Sequence, residues 1–243
     1  MRNLEILFEN KDCLVINKPA GLATQGGERV ASSLDTILAE LRAPRPLLVH
    51  RLDKDTSGLI LVAKTRASAA HFSALLAGKR SVSKQYLAVC AGSPRPGSGS
   101  ITLELEVRGV VKQAETRYKQ LAGNQDFSLL ELELGTGRMH QIRRHLAQTG
   151  NPILGDDKYG DFALNKTLRK TGLKWLLLHA SRLIVNDGDL ALDISAPLPD
   201  YFAPFLQGLT CTPAENYGEV AETVNYAEKT IARGLCRYYA GLQ

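Results

Sequence analysis

Arg51, Asp53, Lys54 and Asp55 put two cations and two carboxylates into one short stretch, between His50 and the triplet Thr56-Ser57-Gly58. The apolar run Leu59-Ile-Leu-Val-Ala63 follows directly. So short a run reads as a buried strand, although a segment of buried helix fits it too. Charged side chains are seldom buried without partners, so these four belong at the mouth of a core, with Ser57-Gly58 as a turn. A carboxylate held there is placed for acid, base or nucleophilic work. The same residues also suit a solvated loop.

A half-buried carboxylate that must stay ionised needs a cation beside it, because burial raises its pKa and a guanidinium lowers it. Arginine suits the task, being permanently charged and able to bind bidentately. The stretch Gly137-Arg138-Met139-His140-Gln141-Ile142-Arg143 supplies one at the edge of a predicted helix. Other chemistries lack their residues. No G-x-x-x-x-G-K-[ST] or G-x-G-x-x-G loop is present, and no G-x-S-x-G elbow. The five histidines include one close pair, His140 and His145, whose spacing is poor for one helical face, so no metal site is expected. A site that works without cofactor is what remains.

The elements that must carry these residues alternate in type. Residues 4–16 read as a hairpin turning at Asn10-Lys-Asp12, and Asn17-Lys18-Pro19-Ala20-Gly21-Leu22 as a defined turn. Ser32 or Ser33 caps a helix to Arg42, and Thr65 one from there to Ala77 with Gly78 past its end. Strands are expected at 84–90, 101–107, 114–121, 127–134, 175–180, 181–185 and 190–194, and a helix at 138–148. Residues 92–100, rich in Pro, Gly and Ser, read as a mobile surface loop. Many strands with a few helices predict an α+β fold, a mixed and largely antiparallel sheet with flanking helices.

The chain has 243 residues, a formal net charge of +5 and a pI near 9.0, which permits a polyanionic partner. The excess belongs to residues 1–208. Four dispersed cysteines and the lack of a signal-peptide core point to a reduced, cytoplasmic protein.

Taken together, His50-Arg-Leu-Asp53 with Thr56-Ser-Gly58 resembles the catalytic motif of the RluA-type RNA pseudouridine synthases. Asn17–Leu22, Lys84-Gln-Tyr86, Lys112–Tyr118, Gly137–Arg143 with its continuation to Gly160, and His179–Leu183 resemble the family's other motifs, in order. The resemblance runs from about residue 5 to 200 and implies a catalytic domain over 1–208. It implies isomerisation of uridine to pseudouridine in ribosomal or transfer RNA by a monomer, with no cofactor and no membrane. Asp53 is then the essential carboxylate, either nucleophile at C1′ or base at C2′. Arg143 is its ion-pair partner, and Tyr86 stacks on the uracil and helps remove the C5 proton. Arg51 fills the gap left by a flipped nucleotide, Leu183 lines the base pocket, and Lys18 touches phosphate. Arg138, with Arg42, Arg45, Lys79, Arg80 and Arg144, forms an RNA-facing patch. The first motif starts near Met1, so an S4-type domain is not expected ahead of it. Residues 209–243 are expected to form a helical extension packed on the body. The alternative reading is a non-catalytic RNA-binding protein with the same basic surface.

Overall fold

The computed structural model describes residues 4–27, 32–78, 81–107, 109–188 and 190–211. Its strands are β1 (Glu5–Glu9), β2 (Cys13–Lys18), β3 (Leu47–Leu48), β4 (Ser57–Ala63), β5 (Val82–Ala91), β6 (Ser98–Val107), β7 (Val110–Gly123), β8 (Phe127–Leu134), β9 (Leu178–Asn186), β10 (Ala191–Ser195) and β11 (Thr210–Cys211). The helices are α1 (Leu34–Leu41), α2 (Arg66–Ala77), α3 (Gln141–Gln148), α4 (Phe162–Leu168) and α5 (Ala203–Leu206). The fold is α+β, and the described residues divide into two compact units: residues up to 85 with 179–196, and residues 86–178 with 197–211. The expected C-terminal extension lies, beyond residue 211, outside the described residues.

In the first unit β1, β2, β4 and β9 lie side by side, with β3 on β4 and β10 on β9. Every pairing is antiparallel except β4 with β9. Asn10 turns the β1–β2 hairpin by accepting from the amides of Asp12 and Cys13, both at 2.8 Å. One face of this sheet buries Val15, Leu59, Leu61, Leu183 and Val185 with Phe72 of α2. Serine and threonine caps start both helices. Ser33 accepts from the Thr36 amide and Thr65 from the Ser68 amide, each with a reciprocal bond from the third residue.

Ser57 and Gly58 are not a turn but the first residues of β4, opposite His179 and Ala180 of β9. Gly58 has φ +106°, and a Cβ there would sit 2.2 Å from the Ala180 carbonyl oxygen. Only glycine allows the two strands to approach so closely. Ser57 Oγ meets His179 Nδ1 at 2.9 Å across the same pair.

In the second unit the order is β5, β8, β7, β11, with β6 on β7 in a hairpin paired from Ser98↔Lys119 to Val107↔Val110. The expected loop at 92–100 is therefore shorter, because its last three residues enter β6. Gly97 and Pro96 are also tied down, accepting from the Gln120 amide and the Tyr118 hydroxyl. Helix α3 begins at Gln141 rather than Arg138, because His140 takes a left-handed conformation at φ 52°. Met139 consequently falls outside the helix and is exposed, while Ile142 and Leu146 are buried as the helical spacing predicts. Helix α4 was not expected. The strands anticipated at 175–180 and 181–185 merge into β9.

Three histidines are buried in their neutral forms. His50 accepts from the Leu61 amide at 2.9 Å, and burial together with the Lys84 charge pulls its pKa down to about 3. Burial likewise lowers His179 to about 4, and burial with the Arg144 charge lowers His145 to about 4. The unfolded chain takes up these protons near pH 6.5, well before the folded one, so acid favours unfolding across that window. Urea unfolding should therefore show stability that is steady above about pH 7 and falls from about 6.5 to 4, with a limiting slope near three protons, roughly 4 kcal/mol per pH unit. A flat profile between pH 7 and 5 would contradict the neutral burial of these rings.

Candidate active site

Asp53 lies in the irregular segment between β3 and β4, half-buried, with exposed Arg51 before it and exposed Lys54 after it. Its own backbone is bracketed. On one side Thr24 Oγ1 donates to the Leu52 carbonyl at 2.7 Å and accepts from the Leu52 amide at 3.2 Å. On the other side Lys18 Nζ donates to the Lys54 carbonyl at 3.1 Å. The same ammonium donates to the carbonyls of Leu22 at 2.9 Å and Pro19 at 3.0 Å, so its three protons meet three acceptors. Burial draws the Lys18 pKa down to about 8, and the charges of Asp55 and Asp53 oppose that fall.

Lys18 is thus a structural cation. Its side chain is fully buried at the end of β2, and the expectation that it touches phosphate is not met. Leu183 is likewise buried, 2% exposed and in one core cluster with Leu59, Leu61 and Phe72. Arg51, by contrast, presents its side chain to solvent as a residue facing RNA must.

In the second unit Tyr86 is 6% exposed on β5. Arg143 is 5% exposed on α3 and engages Asp156 through two bonds, Nε to Oδ2 at 2.8 Å and Nη2 to Oδ1 at 2.7 Å. Nη2 also reaches Asp157 Oδ1 at 3.3 Å, and the guanidinium carbon lies 5.4 Å from the centre of the Tyr159 ring. Burial works against the Asp156 charge, yet the bonds from Arg143 and from the amides of Tyr159 and Lys158 hold its carboxyl below the usual range. Gln141 sets the entry to this helix. It accepts from the Arg138 amide and from Thr136 Oγ1, and donates to the Glu115 carbonyl and Thr116 Oγ1 of β7. The turn before α3 is fastened to the sheet by one amide side chain.

The patch expected to face RNA is largely spent on the protein itself. Arg42 forms a bidentate pair with Glu9, Arg45 pairs with Asp35, and Arg144 donates to the Glu106 carbonyl. Lys79 and Arg80 lie outside the described residues. Arg138 is half-buried, with its Nε lacking a hydrogen-bond partner.

Thr24, Gln141 and Asp156 were given no role on sequence grounds. Asp156 stood in a quoted motif, and its position between two glycines, Gly155 and Gly160, was a usable signal: both glycines sit where a Cβ would collide with backbone. Nothing local marked Thr24.

The sequence and fold have close parallels. Residues 12–148 match the family model for RNA pseudouridylate synthase. The chain is 36% identical over 220 residues to the ribosomal large subunit pseudouridine synthase C of Vibrio parahaemolyticus, covering 84% of this chain and 69% of that one. It is 36% identical over 214 residues to the protein of the same name from Rickettsia bellii, covering 81% and 69%. Among solved structures, human RNA pseudouridylate synthase domain containing 4 superposes with a TM-score of 0.74 at 29% identity, over 86% of this chain and 95% of that one. Human RNA pseudouridylate synthase domain containing 1 gives 0.71 at 25% identity, over 93% and 95%.

Thr24 offers a direct test of the bracket around Asp53. Replacing it with valine keeps the shape and removes both bonds to Leu52, each worth about 1 kcal/mol and leaving buried groups unpaired. Thr24→Val should lower kcat about tenfold or more in a folded protein, since loosening a reacting group by an ångström carries that cost. Thr24→Ser should restore most of it. Wild-type kcat in the valine variant would show that the bracket is not needed.

Proposed function

The chain belongs to the RNA pseudouridylate synthase family and isomerises uridine to pseudouridine in RNA; from that premise we propose that Asp53 carries the reaction. Its carboxylate acts at the ribose, on C1′ or at C2′, while the glycosidic bond to N1 is broken. The uracil then turns and rejoins the sugar through C5, which finally gives up its proton. Bonds and electrons balance within the one nucleotide, so no oxidant or reductant enters.

The observation that carries this reading is the bracket around Asp53. Its neighbours Leu52 and Lys54 are fixed by Thr24 and by a buried ammonium, although Asp53 itself lies in irregular chain. A segment built only to connect β3 with β4 has no need of a fully buried lysine. Pre-set position is what a group attacking carbon requires.

We assign the other roles on the same basis. Tyr86 stacks on the uracil and takes part in removing the C5 proton. Arg143 is the family's ion-pair arginine, and the carboxylate of Asp156 fixes its orientation. Arg51 faces the RNA, where a displaced nucleotide leaves a gap to be filled, and Arg138 joins it there. The relatives' names support ribosomal RNA of the large subunit as the substrate; that the chain acts on it as a monomer in the cytoplasm is part of the same proposal.

RNA tritiated at uridine C5 reads the reaction, because tritium is released only when C5 is rejoined and deprotonated. Wild-type protein should release tritium from large-subunit ribosomal RNA. Asp53→Asn should release none while binding the RNA within a few-fold of wild type. Substantial turnover by Asp53→Asn would remove Asp53 from the chemistry.

A further inference from the structure

Residues 158–175 carry Lys158, Lys166, Arg169, Lys170 and Lys174 against a single carboxylate, Asp161, on a chain whose formal net charge is +5. All five cations are exposed, and none pairs with a carboxylate among the described residues. By contrast, Arg42, Arg45, Arg117 and Arg182 are held by Glu9, Asp35, Glu133 and Asp193. Like charges gathered without counter-charges repel one another, and a polyanion relieves that repulsion.

The segment is ordered in a way that presents these charges. Asp161 starts α4 by accepting from the Leu164 amide at 2.9 Å. Asn165 turns inward, 3% exposed, accepting from the Gly155 amide at 2.9 Å and donating to the Asp156 carbonyl at 3.0 Å. Phe162 and Lys166, four residues apart on α4, share an exposed face, and Lys170 follows in the 3-10 turn Arg169–Thr171. Phe162 is 62% exposed and Trp175 40%. Exposed rings beside unpaired cations suit single-stranded nucleic acid, whose bases stack on aromatics while phosphates meet the charges.

We propose that residues 158–175 form a surface that grips the phosphate backbone of the substrate RNA, with Phe162 offered to an unpaired base. This rests on the RNA-modifying reading above. The surface is coupled to the site by short bonds within one unit: Asn165 holds Asp156, and Asp156 holds Arg143. Phosphate contacts made there set the register of the RNA on the enzyme without reading its sequence.

The test uses the full chain and a large-subunit ribosomal RNA transcript, with the triple variant Lys166→Ala/Arg169→Ala/Lys170→Ala. Affinity is followed from about 50 to 200 mM KCl, where each phosphate contact adds roughly 0.7–0.9 to the slope of log K against log salt. The variant should lose about two units of slope and bind at least about tenfold more weakly at low salt, with KM raised similarly and kcat within about twofold of wild type. The charge-conserving variant Lys166→Arg/Arg169→Lys/Lys170→Arg should bind as wild type. Phe162→Ala should weaken binding several-fold without changing the slope. A second measurement needs no variant: RNA should protect Lys166, Lys170 and Lys174 of wild-type protein from acetylation. Unchanged affinity and slope in the triple variant, or unprotected lysines in the complex, would overturn the proposal. The two readings also fail separately. A wild-type protein that binds RNA with this salt dependence but releases no tritium would sink the catalytic reading alone. Tritium release with an unaffected triple variant would sink the surface alone.

Discussion

A lysine ammonium sealed inside the protein organises the loop that carries Asp53. Taking a charge out of water is costly, and it is tolerated when every donor finds an acceptor. Lys18 meets that condition with three main-chain carbonyls, of Pro19, Leu22 and Lys54. Two of them belong to the turn after β2 and the third to the loop after Asp53, so one side chain ties two irregular segments together. Thr24 adds the second fixing point at Leu52, and His50 accepts the Leu61 amide on the far side of the loop. The result is a carboxylate on irregular chain whose backbone neighbours are as constrained as those in a strand.

The second unit handles its arginine by the same rule with opposite sign. Arg143 is buried, and Asp156 meets it bidentately while itself accepting from the amides of Lys158 and Tyr159. Removing one partner would strand the other, so such a pair specifies geometry more than it stabilises the fold. Gln141 performs the related task for the turn leading into α3. Glycine completes the arrangement: Gly58 lets β4 lie against β9, and Gly155 admits the Trp175 carbonyl.

The elements were legible where local chemistry decides them. Thr65 and Gly78 mark α2 to the residue; for α1 Ser32 and Ser33 were both open as caps, and the structure uses Ser33 and ends the helix at Leu41. Arg143 was expected at the edge of its helix, and the structure buries it. What was not legible came from contacts distant in sequence. Whether Lys18 points to a phosphate or to three carbonyls depends on where Lys54 returns, 36 residues later. His140 delays α3 through a left-handed conformation that its composition does not announce. The cations nominated from sequence were those nearest the motifs, and several of these are consumed by Glu9, Asp35 and the Glu106 carbonyl. The exposed cations Lys166, Arg169, Lys170 and Lys174, which pair with no carboxylate among the described residues, carried no motif.

The most direct measurement of this account is amide hydrogen exchange on Lys18→Met, which keeps the aliphatic stem and removes the ammonium. Leaving the buried Leu22 carbonyl without its donor costs about 1–3 kcal/mol, and the ties to the Pro19 and Lys54 carbonyls are lost with it. The predicted result is fast exchange across residues 50–56 and loss of turnover, while β2, β4 and β9 keep their protection. A variant that exchanges slowly through 50–56 and turns over as wild type would contradict the claim that this buried cation holds Asp53 in place.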